Sequence, residues 1–155
     1  MFMTRLLVLA LFVMMIAAVA GCGDNATEPG SGSELPGQYG MLLTASMFKG
    51  AHVGYGGFTP PEVIAFRGLL ESPDADGLFK RLLEDATTPG ALYALCGIYF
   101  TDPGALPDLT EPYLESSGRV MTFFGCIQDM QAVSAVAEDI LAGSIPLELK
   151  GSETP

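Results

Sequence analysis

Between Ala75 and Ala86 the apolar residues Ala75, Leu78, Phe79, Leu82, Leu83 and Ala86 fall at i, i+3, i+4, i+7, i+8 and i+11. That spacing is the full stripe of an amphipathic helix. Two more stripes flank it. Val63, Phe66, Leu69 and Leu70 share one face, and Leu92, Leu95, Cys96 and Tyr99 share another. A hydroxyl followed by proline precedes each of the three, at Thr59-Pro60, Ser72-Pro73 and Thr88-Pro89. Such pairs read as helix starts, because the side-chain oxygen caps free amides and proline supplies a preset φ. Thr59-Pro60-Pro61-Glu62 has the form of a capping box, and Asp102-Pro103-Gly104 stops the third helix. Tyr93, Ile98 and Phe100 make that helix apolar almost all round, which predicts a place at the centre of the core or, in a sharper reading, a partner groove.

Further along, Asp108 to Ser116 reads as a short helix ended by Ser117-Gly118. Val133, Val136, Ala137, Ile140 and Leu141 form a stripe within Gln131 to Ala142, with Gly143 as its stop. Strand signals are fewer. Arg119 to Ile127 is β-branched and aromatic, and the segment near Met41–Thr44 is the candidate partner. Tyr39 to Phe48 suits a short helix or a strand. Gly50 to Gly57 reads as a loop, with Gly54, Gly56 and Gly57 permitting a tight turn. The expected fold is therefore mainly α, a small bundle or repeat-like stack of short antiparallel helices with a minor two-stranded β element. The pattern faintly resembles HEAT-like helical repeats, which stack helix pairs into binding surfaces.

The N-terminus follows a different plan. Met1 to Arg5 carries one positive charge, Leu6 to Ala20 is unbroken apolar sequence, and Val19-Ala20-Gly21-Cys22 follows. A charged start, an apolar run too short to span and a small-residue end describe an export signal. The last four residues resemble the lipobox of bacterial lipoproteins. The resemblance covers the first 22 residues and implies cleavage before Cys22 and acylation of its thiol. Two or more acyl chains anchor stably, at about 0.8 kcal/mol per buried methylene. With Gly23 rather than Asp after the cysteine, the resemblance implies the outer membrane in a cell that has one. The expected organisation is a signal peptide at 1–21, lipidated Cys22 with a flexible Gly/Ser/Pro-rich tether over 22–38, one globular domain over 39–150 and a disordered tail over 151–155. Such a tether reaches about 20–24 Å.

Charge narrows the partners. The 155 residues include 18 acidic and 7 basic side chains. A net charge of −11 opposes nucleic-acid binding, which needs a Lys/Arg footprint, and electrostatic adhesion to anionic lipid. The expected partners are the membrane, through the lipid on Cys22, and an envelope protein.

The candidate chemistry is thin. Once Cys22 is acylated, Cys96 and Cys126 remain. They suit a disulfide in an exported chain, worth roughly 3–4 kcal/mol for such a loop, or two buried free thiols. His52 is the only histidine, so it has no zinc-site companions and reads as a loop residue bonding locally. Ser46-Met47-Phe48-Lys49 matches the Ser-x-x-Lys motif of penicillin-binding proteins and serine β-lactamases, where Ser is the nucleophile and Lys tunes its proton. The further motifs of that family are missing, and the chain is far shorter than that fold. Glu71, Asp74 and Asp76 begin like a calcium loop but lack its later ligands, and helix-start acids explain them. Glu84-Asp85 and Glu138-Asp139 read as solvated helix faces. No metal or cofactor site is expected. The favoured function is a non-catalytic binding or scaffolding lipoprotein of the envelope. The alternative is a small serine hydrolase or wall-modifying enzyme using Ser46 and Lys49.

Overall fold

The computed structural model describes residues 37–151, a set of seven helices and three strands. In chain order these are α1 (Gly37–Leu43), β1 (Phe48–Val53), α2 (Pro61–Leu70), α3 (Ala75–Asp85), α4 (Thr88–Thr101), α5 (Leu106–Leu114), β2 (Arg119–Gly125), β3 (Ile127–Ala132), α6 (Val133–Leu141) and α7 (Ser144–Lys150). Mainly helical architecture with a minor β element is as expected. Among the described residues no helix is long and apolar enough to cross a membrane.

Helix α4 is the axis of the core. Every residue from Pro89 to Ile98 is buried, and α4 packs against all six other helices and against β1 and β2. An all-round apolar helix demands this position, since any exposed face would leave apolar area in water. Gly97 lets it lie close to α3, because a Cβ there would overlap the ring of Phe79. The stripe of α3 faces it, with Ala75, Leu78, Phe79 and Leu82 buried, and Val63, Phe66 and Leu69 of α2 join the same cluster.

The helix starts differ in detail from the sequence expectation. Thr87, one residue ahead of Thr88-Pro89, caps α4. Its hydroxyl accepts from the Gly90 amide at 3.4 Å and donates to the Ala45 carbonyl at 2.6 Å. Helix α2 begins at Pro61 with no side-chain cap. The Thr59–Glu62 capping box does not form, because Glu62 is drawn into an ion pair with Lys49. Helix α3 begins at Ala75, after Asp74 rather than Ser72, again without a side-chain cap.

The β element is larger than expected and differently partnered. Three strands lie in the order β1-β2-β3. β1 is parallel to β2, with Phe48 opposite Thr122, and β3 is antiparallel to β2, from Arg119 opposite Ala132 to Phe124 opposite Ile127. The expected partner near Met41–Thr44 is instead helix α1 and its C-terminal turn. Half of the predicted Gly50–Gly57 loop is strand, where Gly50 admits Phe124 and Glu148 close to β1 and the Ala51 amide donates to Glu148. The rest is the tight turn the glycines suggested. Val53 and Phe58 exchange backbone hydrogen bonds across it, and Gly54 and Gly57 take φ of 73° and 61°. Gly143 ends α6 at φ 81°, and α7 follows at once, a helix the sequence did not announce. Helix α1 starts at Gly37, inside the expected tether. Cys22, the signal segment and residues 152–155 lie outside the described residues.

Candidate functional site

The residues singled out from sequence do not converge. Ser46 is exposed. The Lys49 ammonium lies 2.7 Å from Glu62 Oε1, so the carboxylate of α2 occupies the group that would tune a serine proton. Glu62 Oε2 is buried without a partner. Lys49 is further fixed through its backbone, whose N–H donates to the Tyr93 hydroxyl at 2.9 Å and whose carbonyl accepts from it at 3.1 Å. Tyr93 is fully buried on α4, and burial pushes its hydroxyl pKa up.

Cys96 and Cys126 are both free. The disulfide is not formed: Cys96 is buried in α4, where burial raises its thiol pKa, whereas Cys126 is exposed at the β2–β3 turn. His52 is exposed on β1 rather than in a loop. Asp76 accepts from Lys80 at 2.9 Å and Asp74 lies 3.5 Å from Arg81. Among the described residues no three His, Cys, Asp or Glu side chains group as a metal site. The pairs Glu84-Asp85 and Glu138-Asp139 are exposed, as solvated helix faces should be.

What the fold does build is a groove between α3 and α5. One cavity of about 420 Å³ is lined by Leu83, Leu109, Pro112, Tyr113 and Val133, with Asp108 and Arg119 among its polar groups. A second, of about 360 Å³, is lined by Lys80, Leu83, Glu84, Ala105, Asp108 and Leu109. Leu83, Asp108 and Leu109 belong to both, so the two form one open channel. An apolar floor with a few placed polar groups is the usual composition of a binding site.

Electrostatics within the groove are uneven. Lys80 is held by Asp76 and, at 2.8 Å, by Asp102. The hydrogen bond to Lys80 keeps the Asp102 carboxyl below the usual carboxylate range. The Arg119 guanidinium donates to the Met130 carbonyl. Among the described residues neither Glu84 nor Asp108 has an ion-pair partner. Helix α5 lacks one internal hydrogen-bond donor. Pro112 lies inside it and has no N–H to give the Asp108 carbonyl four residues earlier. Burial raises the Tyr113 hydroxyl pKa, so it stays a protonated donor at neutral pH.

Sequence reasoning missed this groove, because its walls come from four helices and a strand spread along the chain. The one local signal was Pro112 inside a helical pattern. Comparison with known protein families, with characterised proteins and with solved structures gives no match.

Proposed function

We propose that this chain is a membrane-anchored, non-catalytic binding or scaffolding protein of the cell envelope. The observation that carries the binding half is the α3–α5 groove, an apolar channel whose Glu84 and Asp108 have no ion-pair partner among the described residues. The membrane half rests on the N-terminal sequence, whose apolar run and Val19-Ala20-Gly21-Cys22 box suit a lipid anchor on Cys22. An acidic domain gains no help from anionic headgroups, so a covalent anchor is what would hold it at a bilayer. The outer membrane is the favoured address in a cell that has one.

The hydrolase reading on Ser46 and Lys49 is the less supported, since Glu62 takes the lysine. Two measurements test the proposal. Intact mass of the protein from membranes is expected to show a chain beginning at Cys22 with acyl mass added. A chain beginning at Gly23, or one without acyl mass, contradicts the anchor. A fluorescent β-lactam is expected to leave Ser46 unlabelled, and a Ser46 adduct lost in Ser46→Ala contradicts the non-catalytic reading.

A further inference from the structure

The groove also indicates what kind of partner it takes. We propose that the α3–α5 channel docks a basic, partly apolar peptide segment of a partner protein, anchored on Asp108. This rests on the binding reading above and specifies its chemistry.

Four observations converge. First, the acids of the channel have no ion-pair partner among the described residues, whereas its lysine has two. Glu84 and Asp108 are exposed and without ion-pair partners among the described residues, while Lys80 is shared by Asp76 and Asp102 and Arg119 is committed to the Met130 carbonyl. An anion meeting Lys80 would have to displace a carboxylate, whereas a cation meets open carboxylates. Second, Asp108 lines both cavities, so its carboxylate can be reached along the channel. The two oxygens of that carboxylate can accept from a lysine ammonium and from a peptide N–H. Third, Leu83, Leu109 and Val133 give the floor an apolar surface that suits one aliphatic side chain between two bases. Fourth, the chain carries a net charge of −11, and a field of that sign concentrates cations at the surface and speeds their encounter. The channel is open along its length and spans two cavities. That shape favours an extended segment over an enclosed small molecule.

The test uses the full chain in uncharged detergent and two fluorescein-labelled peptides, Gly-Lys-Leu-Lys-Gly and its Glu-for-Lys counterpart, with protein-free micelles as the blank. Fluorescence anisotropy is expected to show saturable binding of the basic peptide alone. Asp108→Asn is expected to weaken it about tenfold, the usual scale for losing one charge-assisted anchor. Glu71→Gln, at the far end of α2, should leave it unchanged. Glu84→Gln supplies a second reading, with a smaller loss. Equal binding of both peptides, no loss in Asp108→Asn, or no binding of the basic peptide up to about 1 mM would each overturn the assignment. If the peptides fail while a crosslinked envelope partner is still recovered from cells, this inference falls and the binding reading stands.

Discussion

Tyr93 shows how one side chain can join two layers. Its ring packs edge-on to Phe48 at 4.7 Å, and its hydroxyl serves both backbone polar groups of Lys49. A parallel strand directs the N–H and C=O of alternate residues to the same side. Those of Lys49 therefore point away from β2, and Tyr93 satisfies them. Tyr93→Phe keeps the packing and strands a buried donor and acceptor. The expected loss is about 2 kcal/mol, or roughly 8 °C in Tm for a domain of this size. Thermal unfolding followed by circular dichroism checks it, and an unchanged Tm would show that water replaces the hydroxyl. The sequence placed Tyr93 in the core helix correctly, but its partner lies 44 residues away, beyond any local pattern. Glu62 gives the converse case. Local spacing put it in a capping box, and a lysine 13 residues earlier outcompeted the cap.

Among the elements, the long stripes were legible. Those of α2, α3, α4 and α6 each repeat an apolar face over two or more turns, and a repeated face is hard to mimic by chance. The strands beside β2 were not. β1 carries Gly50 where a Cβ would collide with Phe124, and β3 is almost wholly exposed, so neither shows the alternation that marks a half-buried strand. Their exposed edges are nonetheless managed. The Val133 amide bonds the Gly118 carbonyl, which fixes the alternation along the hairpin and turns the N–H and C=O of Met130 outward. The Asp129 carboxylate accepts that N–H at 2.8 Å, and Arg119 donates to that carbonyl. On the other edge Glu148 accepts from the Ala51 amide at 3.3 Å. Unpaired edges template association between chains. The double variant Arg119→Ala, Asp129→Ala is therefore expected to raise the mean mass in light scattering as concentration increases. A scattering profile identical to the parent's would show that the edge is blocked by other means.

For the whole molecule, the mainly helical class and the central place of α4 followed from the sequence, while the site did not. Leu83, Asp108, Tyr113 and Val133 carry no shared motif, and only the packing of α3, α5 and α6 on α4 assembles them into a channel. The motif that sequence did offer, Ser46 to Lys49, is divided by the fold between an exposed serine and a lysine held by Glu62. We propose a lipid anchor at the N-terminus joined to an acidic groove that recruits a basic segment. Photocrosslinking in living cells tests that union most directly. A benzophenone residue is placed at Glu84, in the groove, or at Gln128, on the far strand β3. The account predicts one stoichiometric envelope protein captured from position 84, crosslinked through a segment rich in Lys or Arg, and none from position 128. Capture from position 128 alone, or from neither position, would contradict it.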